Sequence, residues 1–458
     1  MNRKYGIQAV AGLLMCVLFL SSVCRAQEQK KLSKDEQSQI SEMMRAARDD
    51  VKKNYYDPKL AGLDWDARYR QYDANIAKSR NLGDGFRLIA AFLGGLKDSH
   101  TFFSPPERAN TYEGGYRITL EGNDGFITQV RPGADAESKL HIGDQIVTID
   151  GYSVNRDDYH DLRYYFRVLA PQASAKFDLL SPTGEERQVI VNSIIKPNSR
   201  AVTDLTSLGA PKNKRKGGIP ADQTNVDYDN MLRHDEDADE VAHSRTIENG
   251  DAVLWKYQRF DDLQQVESAM SAARRHKALI LDLRGNKGGS AESLEMLVGS
   301  LFDHDVKICD RAGRKELKPL IASHRGQPFT GKLIVLVDAG SASYSEVLAR
   351  VVQLEHRGTV IGDRTAGSVM EPKYYGESLG MYTKIFYGFN VTEDNLIMSD
   401  GKSLEKTGVT PDELLLPTGA DLAAGRDPVL AHAAELAGVK LDPDAAGKLF
   451  PFEWPPLQ

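Results

Sequence analysis

The chain is 458 residues long, 41% apolar and 27% charged, the balance of an ordinary globular protein with room for two or three domains. A formal net charge of -7 provides no global basic surface and argues against a nucleic-acid partner. Of its three cysteines, Cys16 and Cys24 lie near the start and Cys309 stands alone further on, so no disulfide is expected within the mature chain, and Cys309 in VKICD reads as a buried strand thiol.

The chain opens MNRKYGIQAVAGLLMCVLFLSSVCRAQEQ. Arg3 and Lys4 precede an apolar run of about a dozen residues, shorter than a membrane span needs. Small residues follow, so residues 1–26 read as a signal peptide cut after Ala26. Ser-Ser-Val before Cys24 is poor context for lipid attachment. Export to a bacterial periplasm or cell envelope is expected ahead of secretion or a membrane anchor.

Residues 27–110 read as a helical segment. The stretch SKDEQSQISEMMRAARDDVKKNYY puts Ile40, Met43, Met44, Ala47 and Val51 on one face, and Ser33 with Glu36 has capping-box spacing. A second helix, GFRLIAAFLGGL, stops at the turn LKDSHTFFSPP. Residues 111–198 change character. The short runs YRITLEG, GFITQVRPG, DQIVTIDG, AKFDLLSP and RQVIVNSI, parted by Gly, Pro and Asp, predict a small β-rich module. Residues 199–245 carry KNKRKGGIP and HDEDADE with few apolar residues, a solvated linker or lid. His234 and His243 beside the acidic run match no metal-site spacing, so no metal is expected.

From residue 246 to 458 the pattern is α/β. Strand AVLWKYQRF, helix LQQVESAMSAARRHK, buried strand ALILDLRG, helix SAESLEMLVGSLF, buried strand KLIVLVDAG and helix SEVLARVVQLE alternate, as βα units around a buried sheet do. GTVIGDRT, TKIFYGFNV and LLLPT read as further short strands, and GRDPVLAHAAELAG as a closing helix.

Two strand-to-helix turns carry small residues where chemistry could sit. In GNKGGS, adjacent glycines beside a helix N-terminus can turn bare N–H groups toward a ligand, although the P-loop spacing is missing. In VDAGSASYSEVLARVVQ, Ser341, Ser343 and Ser345 stand on alternate positions ahead of a helix. Ser345 before Glu346 reads as the helix N-cap and Ser341 as a turn hydroxyl. A nucleophilic serine needs a base. Most of the ten histidines, among them His160, His356 and His432, lie in polar or helical contexts, whereas His100 follows a helix end in DSHT.

Taken in order, LKDSHT, the β-rich module, DLRGNKGG, GSASYSE and LEKTGVTPD resemble the C-terminal-processing (tail-specific) serine peptidases, on the tricorn-core-like branch. The resemblance implies a ClpP/crotonase-like α/β core, an N-terminal helical segment belonging to the same catalytic unit, and an inserted PDZ domain over 111–198. It implies Ser343 as nucleophile, with Tyr344 N–H as one oxyanion donor and Gly288 or Gly289 as the other. Where a second branch of the family has a lysine base, this chain has Ser368; Lys373 is displaced. The tricorn-like branch uses a histidine, a serine beside it and a distant glutamate, which fall on His100, Ser99 and Glu405. The implied function is an exported serine endopeptidase acting through an acyl-enzyme on polypeptides or protein tails. No cofactor is implied, and PDZ-assisted substrate binding and homo-oligomerisation stay open. The alternatives are an inactive PDZ scaffold that binds peptide ends, which loss of a catalytic residue would favour, and a crotonase-type acyl-CoA enzyme, against which the leader and the insert speak.

Overall fold

A computed structural model describes residues 32–198, 244–380 and 384–454. The expected signal peptide over 1–26, His234, His243 and the expected linker or lid, save its last two residues, lie outside the described residues. None of the described helices is long and apolar enough to cross a membrane.

Three helices lead: α1 (Lys34–Asn54), α2 (Trp65–Ile76) and α3 (Leu82–Leu93). Ser33 caps α1 with Glu36 in a capping box, and Ile40, Met43, Met44, Ala47 and Val51 are all buried, as their spacing on one face predicts. These helices pack on strands of a later sheet through a shared core that includes Ile40, Phe86, Phe92, Phe103, Tyr387 and Phe389.

After β1 (Phe102–Ser104) and β2 (Asn110–Glu113), the chain enters the β-rich module. It comprises β3 (Tyr116–Glu121), β4 (Asp124–Val130), β5 (Gln145–Ile149), β6 (Tyr152–Ser153), helix α4 (Tyr159–Tyr164), β7 (Ser174–Leu180) and β8 (Glu186–Asn192). The sheet order is β3-β4-β5-β7-β8, so β3 and β8 are edges. Ile127, Leu140, Ile146, Phe177, Leu179 and Val191 fill its own small core. The module leaves through β9 (Ile194–Pro197), which pairs with β2 as a ribbon at its root. Helix α4 interrupts the run of strands that the sequence pattern suggests.

The α/β core is built on β10 (Arg245–Asn249), β11 (Ala252–Lys256), β12 (Ala278–Asp282), β15 (Lys332–Val337), β16 (Thr359–Gly362) and β19 (Glu413–Leu414), in sheet order β10-β11-β12-β15-β16-β19. All neighbours are parallel except β10. Every residue of β12 is buried, because both faces are covered. Leu279, Leu281, Leu333, Val335 and Val337 pack on the layer of α5 (Leu263–Ala273), α6 (Ala291–Leu301) and α7 (Tyr344–Leu354). Ile280, Ile334 and Leu336 face helix α9 (Pro428–Leu436), with the short α8 (Gly419–Ala423) before it. The period-2 alternation of each strand thus divides its apolar residues between two helical layers.

A second sheet runs β1-β18-β13-β14, with β17 (Met370–Leu379) also pairing β18 (Ile385–Met398); β13 is Val306–Gly313 and β14 Leu320–Ala322. Here the expectation of a short strand at TKIFYGFNV is corrected: its residues Ile385–Val391 belong to a 14-residue strand, Ile385–Met398. Its pairing with β1 sets Phe102 against Asn390 and Phe103 against Phe389. That antiparallel pairing brings the segment after His100 into the core although the module intervenes in sequence. Cys309 is buried in β13, where burial pushes its thiol up to about 12, in keeping with a structural strand thiol.

The module rests on the end of the parallel sheet. Gly122 N–H donates to Asp363 Oδ2 at 2.9 Å, Arg156 forms an ion pair with Asp363, and Arg156 Nη1 donates to the Arg364 carbonyl at 2.7 Å. The segment Phe452–Trp454 adds a second attachment. Phe452 lies under Arg117 and Trp454 under Arg131, both 4.6 Å from guanidinium carbon to ring centre, while Glu453 pairs with Arg245 of β10 at 2.8 Å. Alternation along this extended segment turns the two rings to the module and the carboxylate to the core.

Candidate active site

The register of β12 and β15 sets Asp282 beside Leu336, so the turns that follow these strands are neighbours. They are bound to each other throughout. Gly285 N–H donates to Asp338 Oδ1 at 2.8 Å, Ala342 N–H to the Asn286 carbonyl at 2.9 Å, and Ser341 Oγ to the Leu283 carbonyl at 2.8 Å. Ser345 Oγ also reaches the Asn286 carbonyl, at 2.9 Å. Ser341 and Ser345 are both fully buried. Ser341 is therefore a turn hydroxyl, but Ser345 does not cap the helix. The N-cap is Ser343, and Ser345 sits inside the first turn as a pin between the two loops.

Ser343 has φ 57° and ψ −126°, a conformation that a residue with a Cβ holds only when its surroundings impose it. Two acceptors impose it: Ser343 N–H donates to the Ser368 carbonyl at 2.9 Å and to Glu346 Oε2 at 3.1 Å. Glu346 is fully buried and also accepts from Thr365 Oγ1 at 2.6 Å, Gly367 N–H at 2.7 Å and Ser368 N–H at 2.9 Å. Burial pushes its carboxyl up to about 7, against the opposing pull of these donors. The sequence reading did not single out Glu346, although Ser343-x-x-Glu346 has the capping-box spacing that would have flagged it.

The glycine turn lies directly against Ser343. A Cβ on Gly288 would meet Ser343 Cβ at 2.6 Å and Tyr344 N at 3.0 Å, and one on Gly289 would meet the Phe260 carbonyl oxygen at 2.2 Å. Both glycines have positive φ, 88° and 148°. The Gly288 N–H is bonded to Asn286 Oδ1 at 2.7 Å. The N–H groups of Gly289 and of Tyr344, the first residue of α7, have no hydrogen-bond acceptor among the described residues.

The histidine side is assembled from distant parts of the chain. Ser99 Oγ donates to Glu405 Oε2 at 2.9 Å, Ser99 N–H donates to Glu405 Oε1 at 2.7 Å, and His100 Nδ1 is 2.7 Å from Ser99 Oγ. A hydroxyl has one proton. With that proton on Glu405, Ser99 Oγ accepts the Nδ1 proton of a neutral imidazole, which leaves Nε2 as the free lone pair. Burial lowers the His100 pKa to about 4, with Asp98 acting in the opposite direction and His160 and Lys406 reinforcing the drop. Burial also raises Glu405, against the pull of Val369 N–H and Ser99.

One peptide group joins the two sides. The Ser368 carbonyl accepts from Ser343 N–H, and the Val369 N–H at the other end of the same peptide donates to Glu405 Oε2 at 2.9 Å. Ser343 and His100 themselves share no hydrogen bond. Lys373 is exposed on β17 with its ammonium 5.6 Å from the Tyr375 ring centre, and the position resembling the lysine of the other branch is Ser368. Among the described residues no group of three His, Cys, Asp or Glu side chains could hold a metal ion.

Residues 254–415 match peptidase family S41, and residues 37–94 match the tricorn protease C1 domain. The chain carries a family S41 serine peptidase domain. Glu405, Ser343 and both glycines lie inside the S41 match, whereas Ser99 and His100 lie just beyond the end of the tricorn C1 match. The chain is 24% identical to tricorn protease homolog 2 of Streptomyces coelicolor over 418 residues, 84% of this chain and 31% of that protein. It is 24% identical to the chloroplastic C-terminal processing peptidase of Tetradesmus obliquus over 389 residues, 80% of this chain and 75% of that one. The chain thus spans about a third of the tricorn homologue and three quarters of the processing peptidase. Mature CPAF, solved as a complex with lactacystin, superposes with a TM-score of 0.61 at 14% identity, covering 85% of this chain and 96% of CPAF. The S41 domain shares that protein's fold.

Proposed function

We propose that this S41 peptidase is an exported serine endopeptidase that cleaves polypeptides through an acyl-enzyme, with Ser343 as nucleophile and His100 as base. The observation that carries the reading is the hydrogen-bonded line Glu405–Ser99–His100, tied through the Ser368–Val369 peptide to Ser343. Neutral His100 takes the Ser343 proton on Nε2 as Oγ attacks the scissile carbonyl, and returns it to the leaving amine. Contacts of this kind are often long without substrate and tighten when it binds. The developing oxyanion is held by the Tyr344 N–H at the head of α7 and the Gly289 N–H in the turn ahead of α6. Gly288, whose N–H is bonded to Asn286, supplies the close backbone approach instead. Glu405, through Ser99, orients the imidazole and favours its charged form. Water then repeats the sequence on the acyl-enzyme.

The inserted module is read as PDZ-like and as a receiver of substrate tails. Its β3 lies at a sheet edge, where an extended peptide adds as a further strand. The basic start and apolar run of residues 1–26 support export to the cell envelope.

The test is fluorophosphonate labelling with peptide mapping, alongside cleavage of an unfolded protein. Label should appear on Ser343, and Ser343→Ala and His100→Ala should each lower turnover by roughly 10⁴-fold or more with unchanged melting. Label on another serine, or wild-type cleavage by Ser343→Ala, sinks the assignment.

A further inference from the structure

The carboxylate next to the Ser99–His100 pair is not used in that mechanism. Asp98 follows Lys97, whose φ of 58° is left-handed, and opens the turn that presents the histidine. Its Oδ1 accepts from His100 N–H at 2.9 Å, Thr101 N–H at 2.7 Å and Thr392 Oγ1 at 2.8 Å. Thr392 belongs to β18, so this oxygen also ties the turn to the second sheet. The other oxygen, Oδ2, is buried, and the Tyr55 hydroxyl approaches the same carboxylate as a donor. The carboxylate is thus attached directly to the turn that carries the histidine, with no neutral side chain between its Oδ1 and the His100 N–H.

Glu405 contrasts with it. Glu405 is separated from the imidazole by a neutral hydroxyl, accepts from Ser99 and Val369, and has the Lys406 ammonium 4.0 Å from Oε1. Its charge reaches the imidazole partly compensated.

Resting on the Ser343–His100 reading, we propose that Asp98 is a positioning residue with an electrostatic role: its carboxylate fixes the turn that presents His100 and compensates the imidazolium formed when His100 takes the Ser343 proton. The proton moves from Ser343 Oγ to His100 Nε2 and on to the leaving amine, and none passes through Asp98. Asp98 is the favourable charge acting on His100, against burial, His160 of α4 and Lys406. The Tyr55 and Tyr56 hydroxyls at the end of α1 face the same carboxylate. Burial first, and Asp98 among the other causes, push both above the ordinary tyrosine value, so they stay neutral. Glu405 faces the pair through Ser99, and Asp161 pairs with His160.

The experiment is kcat/KM against pH for the full chain, on an unfolded polypeptide, with fluorophosphonate labelling in parallel. Asp98→Asn is close to isosteric. Asp98→Ser keeps an oxygen for the turn but no charge. Thr392→Val removes one brace and keeps the charge. Asp98→Asn and Asp98→Ser should both lower kcat/KM by roughly 10- to 100-fold and move the acid limb to lower pH, because an imidazole without its counter-charge is harder to protonate. Thr392→Val should leave the acid limb in place. An unshifted limb in both Asp98 variants, or an equal shift in Thr392→Val, overturns the electrostatic role while Ser343 still labels. Labelling away from Ser343 overturns the underlying reading, and the Asp98 role with it.

Discussion

Ser343 and His100 are held by opposite kinds of structure. Ser343 stands on a strand-turn-helix element whose parts are contiguous in the chain, beside a second such element placed by the register of two parallel strands. Its conformation is imposed from below by Glu346, three residues on. His100 has no such local frame. Its orientation comes from Ser99, from Glu405 across 306 residues of sequence, and from β1 pairing with β18 after the chain has left the helical segment. The geometry of the proposed nucleophile is thus inherited from a βα unit, whereas the proposed base is placed by contacts that exist only once the whole molecule has folded. Damage to the first side should act through local sterics, and damage to the second through orientation and charge.

The largest expected effect that sharpens this contrast is on the Ser343 side. Gly288→Ala would put a methyl 2.6 Å from Ser343 Cβ and 3.0 Å from Tyr344 N, at a φ of 88°. It should lower kcat/KM by about 10²- to 10³-fold. Gly326→Ala, also at positive φ but with open space around it, is the control and should retain activity. Equal activity in the two variants breaks the steric account.

On the histidine side, Ser99→Ala removes the link to Glu405 and should cost about 100-fold in kcat/KM without loss of labelling at Ser343. The wild-type pH profile belongs to the same test. Burial takes the imidazole from 6.5 to about 4, so the base stays neutral as the pH falls below 6.5 and kcat/KM should decline only near pH 4. The unfolded chain binds that proton first. His100 therefore contributes stability that is complete above about 6.5 and is lost as the pH falls through the window down to about 4. An acid limb at the ordinary histidine value contradicts a desolvated, neutral His100.

The smallest effect concerns the module. Phe452→Ala with Trp454→Ala removes both rings from Arg117 and Arg131. Hydrogen-exchange mass spectrometry should show faster exchange in β3 and β4 and none in β12 or β15, with activity changed by less than about tenfold. Unchanged exchange in β3 and β4 means that the Asp363 contacts hold the module alone.

Much of this was legible in the sequence where the signal was local. The amphipathic face of α1, its capping box, the alternating strands of the module and the buried strands β12 and β15 follow from periodicity and turn residues. The errors also had local causes. Ser345 has the cap signature of a serine before an acidic residue, but Ser343 holds the N-cap position and Ser345 is directed across to Asn286. The 14-residue β18 looked short, because period-2 patterning fades in a strand that is buried along much of its length. Gly288 and Gly289 could not be separated by composition. In the structure the Gly288 N–H is bonded to Asn286 Oδ1, which favours Gly289 in the proposed oxyanion role.

By itself the sequence determined which segments become helix, strand and turn, that two glycine- and serine-bearing turns begin helices, and, through the order of five short motifs, which family the chain resembles. Those properties rest on residues within a few positions of one another. Only the tertiary structure decided that Glu405 meets Ser99, that one peptide group joins Ser343 to Glu405, that Glu346 lies beneath Ser343 as a buried acceptor, and that Asp98 braces the histidine turn against Thr392. The physical reason is that each depends on the burial and pairing of groups far apart in the chain, and sequence spacing does not encode the distances between them.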